Sequence, residues 1–282
     1  MKLNRSFLEL NLAIIFLSTS GVFGRLIDMP PTLIIWWRCA LAVILMGIYV
    51  KVTRRDLKIK EKGHKGVIFW SSFLLASHWV TYFYSLSLSN IAIAMLTLHT
   101  YPAMTALLEP IFLKTKFRLY HLGLAAMVLV GVFILIPADG GSDNLGLAII
   151  FGLVSALSYA LRNIFTRKVI PSYDGSVMMF FQLAVMTILL LPILYFESPA
   201  SITTEWPYVG LLAIVTTCLG HTLFVHNLKK YEAVTISLLT SIVPVYGILW
   251  GVIFLAEVPS LMTVLGGVII LAAFLIESRR VS

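Results

Sequence analysis

Stretches of about 20 mostly apolar residues follow one another along this chain with little between them, and this decides the solvent in which it folds. A bilayer core holds no water to satisfy a backbone N–H or C=O, so each crossing segment must satisfy its own groups as a helix. Ten such stretches are legible: Phe7 to Ile27, Pro31 to Val52, Gly66 to Leu88, Asn90 to Leu113, Tyr120 to Ile136, Leu145 to Arg167, Gly175 to Phe196, Trp206 to Asn227, Ala233 to Leu255 and Leu261 to Ile276. With 59% apolar and 12% charged residues, a soluble domain of 282 residues is excluded. The expected fold class is all-α integral membrane, with ten transmembrane helices.

Charge orients the spans, because loops rich in Lys and Arg stay in the cytoplasm. Starting with the N-terminus inside, 18 of the 21 basic residues fall on inside segments, seven of them between Lys51 and Lys65. The outside loops carry Asp28, Asp139, Asp143, Glu197, Glu205 and Glu257, with Arg25 as their only cation. A miscounted helix would flip every later loop and destroy this alternation. Both termini are therefore expected in the cytoplasm.

The chain also repeats itself. SLSNIAIAMLTLHTYPAMTALLEPIFL from Ser87 and KKYEAVTISLLTSIVPVYGILWGVIFL from Lys229 align on Pro102 and Pro244, an offset of 142 residues. Leu12 to Phe16 matches Leu147 to Phe151, and IIWWRCALAVILM from Ile34 resembles MMFFQLAVMTILL from Met178, which sets Arg38 against Gln182. Five spans per half is an odd number, so the second half enters the membrane from the opposite side. The expected architecture is two inverted five-helix repeats, residues 1–138 and 139–282, joined through the turn-forming PADGGSDN loop from Pro137.

The net charge of +8 is accounted for by the cytoplasmic loops, so no nucleic-acid partner is expected. The Lys51 to Lys65 stretch is suited to anionic lipid heads. Cys39 and Cys218 lie inside spans, where packing is their expected role. Lys2 and Arg5 before an apolar run resemble a signal peptide, but the match to the sixth span argues for a retained first helix.

An Arg early in the second span followed by CALAVIL, a central Pro in the fourth and ninth spans, and the ending Phe254-Leu-Ala-Glu257 then Gly266-Gly267 together resemble the EamA-type branch of the drug/metabolite transporter superfamily. Lys114 and Thr115 stand where the second repeat has Glu257. The resemblance covers nearly the whole chain. It implies a multi-pass carrier of the bacterial inner (plasma) membrane that exports small metabolites, amino acids or drugs.

Candidate functional residues are polar or aromatic groups inside spans, since an ionisable side chain there costs several kcal/mol unless it faces a cavity or a partner. Arg38 reads either as a cavity cation for an anionic substrate group or gating carboxylate, or as a hydrogen-bond donor to neighbouring helix carbonyls. Glu109 reads as a proton acceptor or inner gate with Arg162 or Lys114, or as an interfacial carboxylate paired with a loop lysine. Arg162 is expected to snorkel to the cytoplasmic interface. His78, His99 and His221 fall well inside three spans that the repeat brings together. Trp79, Tyr101 and Tyr246 stand at mid-span, and Tyr82 shares a helix face with Trp79.

Pro102 and Pro244 weaken their helices one turn earlier, near Leu98 and Thr240, as hinges or as static bends. Gly247 and Gly251 form a small-xxx-small pair that allows close helix approach, within the chain or between protomers. The substrate site is accordingly expected to comprise Arg38, Trp79, Tyr82, His99, Tyr101, His221 and Tyr246, with Pro102, Pro244 and Glu109 as hinge or gate.

No catalytic residue, metal or cofactor is expected, and the partners are a small-molecule substrate and membrane lipid, in a monomer or homodimer. The reading is a carrier working by alternating access through a central cavity. A membrane-embedded enzyme acting on lipid-linked substrates would need more carboxylates or a metal cluster, and a passive channel would need a polar stripe along a whole pore.

Overall fold

The computed structural model of the chain describes residues 5–89, 91–134, 144–198, 202–255 and 261–281. Among the described residues the regular elements are all helical. In order they are α1 (Arg5–Ser18), α2 (Ser20–Leu26), α3 (Pro31–Val52), α4 (His64–Leu88), α5 (Ile91–Leu98), α6 (Tyr101–Leu113), α7 (Leu119–Ile134) and α8 (Leu145–Val169). A 3₁₀ turn at Ile170–Ser172 leads into α9 (Gly175–Leu190), α10 (Ile193–Phe196) and α11 (Ile202–Leu211). A π-helical segment (Leu212–His221) then continues into α12 (Thr222–Asn227), followed by α13 (Ala233–Thr240), α14 (Val243–Leu255) and α15 (Leu261–Val281). The PADGGSDN loop through Asp143, with Asp139, and the loop holding Glu257 lie outside the described residues.

Among the described residues six helical stretches are long and apolar enough to cross a membrane: Ser6–Leu26, Pro31–Val52, Leu145–Ser172, Gly175–Phe196, Ile202–Asn227 and Ala233–Phe254. Leu119–Gly131 and Val264–Glu277 are shorter apolar helices. The 25-residue helix α4 has the length but carries five serines and His78, which dilute its hydropathy. Four of these side chains, Ser71, Ser72, His78 and Ser85, are buried, while Ser87 near the helix end is exposed.

Local chemistry sets the helix ends. Pro31 opens α3, where its missing N–H is one the helix would leave unpaired anyway. The Asp174 carboxylate accepts the Ser176 amide at 2.9 Å and caps α9. Arg167 donates to the carbonyls of Leu228 and Lys229 just past α12, at 2.6 and 3.0 Å. The basic stretch is tied down too, since the Lys60 amide donates to the Tyr173 hydroxyl at 3.0 Å and Arg55 pairs with Asp174 at 3.3 Å.

Pro102 and Pro244 each sit second in their helix, directly after a break: α5 ends at Leu98 before α6, and α13 ends at Thr240 before α14. The two breaks fall at aligned positions of the sequence repeat.

The packing follows a scheme that survives exchange of the halves. The pairs α3–α9 and α7–α15 each join corresponding helices, and α6 packs on α13 as α14 packs on α5. In addition, α4 packs on α8 as the π segment and α12 pack on α1, and α4 packs on α9 as the π segment packs on α3. Close approach needs small residues: a Cβ on Gly152 of α8 would lie 1.8 Å from Thr97 Oγ1 of α5, and one on Gly131 of α7 would lie 2.9 Å from the Gly266 carbonyl of α15. The outer surface is apolar, with Ile44 60%, Ile188 71% and Phe254 64% exposed. Such a surface is unfavourable in water and suits lipid.

Candidate functional site

A cavity lies where the two halves of the sequence meet. The first half supplies Arg38 from α3, His78, Trp79 and Tyr82 from α4, His99 from the break after α5, and Tyr101 from α6. The second half supplies Tyr159 from α8, His221 from the end of the π segment, Thr240 from the end of α13 and Val243 from the start of α14. Both helix breaks therefore open onto it.

Arg38 is 1% exposed, with its guanidinium carbon 3.7 Å from the centre of the Trp79 ring. Its Nε donates to Thr217 Oγ1 at 2.6 Å and its Nη2 to Thr216 Oγ1 at 2.9 Å. Both hydroxyls spend their own proton on the Leu212 carbonyl, at 2.6 Å for Thr216 and 3.4 Å for Thr217. This arrangement uses the π segment, whose wider turn brings two consecutive threonines to the same cation, as such segments tend to do at functional sites.

Rings form the rest of the wall. His78 stacks on Tyr159 at 4.3 Å, Tyr101 meets Tyr159 edge-on at 4.9 Å, and Trp79 lies 5.0 Å from His221. The hydrogen bonds fix two tautomers. Ser155 Oγ donates to the His78 carbonyl at 2.9 Å, so His78 Nδ1 donates to Ser155 Oγ at 2.7 Å. His99 Nδ1 donates to the Met95 carbonyl at 2.7 Å. In each ring Nε2 remains for the cavity.

On one side of the cavity α6 and α13 are joined by a polar ladder. The Tyr101 hydroxyl bonds the Thr240 hydroxyl and donates to the Ser237 carbonyl at 3.2 Å. Ser237 Oγ donates to Thr105 Oγ1 at 3.4 Å. Glu109, 2% exposed, accepts the amides of Ala233 and Val234 at 2.9 and 2.7 Å. Positions 101, 105 and 109 are four apart and share one face of α6.

Six of the seven expected lining residues meet at this cavity: Arg38, Trp79, Tyr82, His99, Tyr101 and His221. Tyr246 does not line it. The chain resumes its helix at Val243, which takes the cavity position and leaves Tyr246 about one turn further along, packed on the core.

Two further expectations are corrected. Among the described residues Glu109 pairs with neither Arg162, Lys114 nor a loop lysine; the open N-terminus of α13 holds it instead. Arg162 does not snorkel: it is fully buried, donating to Gln182 Oε1 at 2.6 Å and Asn163 Oδ1 at 3.0 Å. The expected site leaves out Thr216 and Thr217, although two adjacent threonines within an apolar span are a legible signal, and it leaves out the cavity residues Tyr159 and His78. Among the described residues no group of His, Cys, Asp and Glu is arranged to hold a metal ion.

Comparison with known proteins gives a consistent picture. The model of the EamA-like transporter family matches residues 7–136 and again 146–278. The chain is similar to the pseudopaline exporter of Pseudomonas aeruginosa, 26% identical over 276 residues and 95% of each chain. It is also similar to a Salmonella typhimurium protein named "Probable amino-acid metabolite efflux pump", 25% identical over 66% of each chain. A crystal structure shares the fold with a TM-score of 0.78 over 98% of this chain and 99% of the other, at 21% identity.

Proposed function

The chain belongs to the EamA-like transporter family, and on that premise we propose that it exports small metabolites, amino acids or drugs across a bacterial inner membrane by alternating access. The substrate occupies the cavity lined by Arg38, Trp79, Tyr82, His99, Tyr101 and His221. Ten helices cross the bilayer as two inverted repeats, residues 1–138 and 139–282, with both termini in the cytoplasm. Pro102 and Pro244 mark the hinges, and Glu109 holds the ladder that shuts one side.

The observation that carries this reading is the cavity itself: it takes side chains from both halves and sits at both helix breaks. A site at the interface of two repeats, beside broken helices, is what a rocking carrier needs, because relative motion of the halves exposes it to each side in turn. The exchange-related packing supports inverted repeats. So does the contact pattern of the aligned pair Arg38 and Gln182: Arg38 reaches Thr216 and Thr217 of the π segment, and Gln182 donates to Ser71 of α4 at 3.0 Å. Export as the direction rests on the names of the relatives. A membrane-embedded enzyme finds little support, since among the described residues no acid lines the cavity and both oxygens of the buried Glu109 are engaged by backbone amides.

The test is flux in proteoliposomes over amino acids, purines and organic cations and anions, with and without a proton gradient. Saturable flux of at least one class is expected. Absence of flux for every class, in protein that stays folded, overturns the carrier reading. Cysteines placed at Lys58 and at Asp28 report the topology: labelling from the same side would overturn the proposed threading.

A further inference from the structure

We propose that the cavity selects an organic anion, a carboxylate carried on an apolar or aromatic body, and that Arg38 and Trp79 together bind the carboxylate. This deepens the carrier reading and rests on it.

The charge balance of the cavity is one-sided. Arg38 is buried, and among the described residues no carboxylate lies within ion-pair distance of it; its partners are two neutral hydroxyls and a ring face. Its Nη1 makes no hydrogen bond among the described residues. The other ionisable groups around the space are His78, His99 and His221, none of which supplies a negative charge, and Tyr82, Tyr101 and Tyr159, which are neutral as phenols. A guanidinium held in a low-dielectric interior without a counter-ion is a strong attractor for an anion.

A second and independent observation points the same way. Trp79 is 1% exposed, and its Nε1–H, which can only donate, finds no partner. An orphaned buried donor is costly, and natural structures keep few of them. This one belongs to the ring on which Arg38 lies at 3.7 Å, and both residues line the cavity, so an unpaired indole N–H and a guanidinium without a counter-ion belong to one stacked pair in its wall. His221, whose ring is 5.0 Å from Trp79, also leaves its Nδ1 unpaired. A carboxylate offers two acceptor oxygens to the Arg38 and Trp79 pair. An ammonium would face a guanidinium and find no acid.

The remaining wall decides what carries the carboxylate. Tyr101 and Tyr159, with the stacked His78, present ring faces and edges, and Leu17, Leu98 and Val243 complete an apolar surface. Such a wall pairs with a planar or apolar body by stacking and burial. The Nε2 atoms of His78 and His99 are left to accept a hydrogen bond from that body.

The experiment uses the full-length protein in detergent at pH 7.5 and three probes that differ only in their polar end: phenylacetate, 2-phenylethanol and 2-phenylethylamine. Binding is measured by titration calorimetry, and whichever probe binds is tested for counterflow in proteoliposomes. Phenylacetate is expected to bind at least tenfold more tightly than the alcohol or the amine. Arg38→Gln is expected to remove that preference, and Trp79→Phe, which keeps a ring but no N–H, to weaken phenylacetate several-fold while leaving the alcohol unchanged.

The series on the parent protein needs no variant, so it stands even where Arg38→Gln fails to fold. Equal or tighter binding of the amine or the alcohol overturns the proposal, as does no binding of any probe. Flux of organic cations without flux of anions sinks the anion assignment and leaves the carrier. Loss of flux for all classes sinks both.

Discussion

Glu109 caps the helix that begins at Ala233: its Oε2 accepts the Val234 amide at 2.7 Å, while Oε1 accepts that of Ala233 at 2.9 Å. The residue in the local capping position, Glu232, makes no such bond and pairs instead with Arg118 at 3.2 Å. A carboxylate on α6 therefore satisfies amides that α13 leaves open, and it complements the positive end of that helix. The side chain that closes the ladder is also the one that finishes a helix.

Removing this cap is expected to cost stability first. Glu109→Ala should lower unfolding free energy by about 2–3 kcal/mol, since two buried amides lose their acceptor. Glu109→Gln keeps one acceptor oxygen and should fall between the parent and Ala. Thermal unfolding in detergent reads the order, and equal stability of all three would contradict the capping role.

The close approach of α8 and α5 gives a steric prediction. A Cβ at position 152 would sit 1.8 Å from Thr97 Oγ1, so Gly152→Ala should force the helices apart at a cost of about 1–3 kcal/mol. Gly146→Ala on the same helix meets open space and should be tolerated. Comparing the melting curves of the two variants is sufficient.

Threonines 216 and 217 hold the buried cation. Thr216→Val removes an acceptor from Arg38 and should destabilise the chain by about 1.5–3 kcal/mol, the usual range for a hydrogen bond to a charged group. Thr216→Ser keeps the oxygen and should lie within about 1 kcal/mol of the parent. If Val and Ser unfold at the same temperature, the hydroxyl is not what matters.

Asp174 gives the pH dependence. Burial pushes its carboxyl up, but the bonds from the Ser176 hydroxyl and amide and the nearby Arg55 guanidinium outweigh this and hold it below the usual carboxylate range. Its stabilising contribution is thus fully present above the unfolded Asp value of about 3.9 and fades as pH falls through the lower native value. Asp174→Asn should flatten this acid limb, and Asp174→Ala should cost about 1 kcal/mol at neutral pH through loss of the α9 cap. Unfolding followed from pH 7 to pH 3 separates the two.

The sequence by itself determined the medium, the helical class and the places where helices break. These follow from local physics: an apolar span in lipid has no alternative to a helix, and a proline interrupts it one turn earlier, as at Leu98 and Thr240. It also drew together most of the cavity residues, because polar groups within a span are few and must share the space that tolerates them.

Only the tertiary structure decided how each helix is turned about its axis and which neighbour meets it. Spans that are apolar nearly all round, such as α14, carry no stripe that fixes their rotation, so Val243 rather than Tyr246 reaches the cavity. Arg162 looked interfacial by its distance from the span end, yet Gln182, 20 residues away, draws it inward. Glu109 found its partner 124 and 125 residues along the chain, in an unsatisfied helix end that exists only once α6 and α13 have packed.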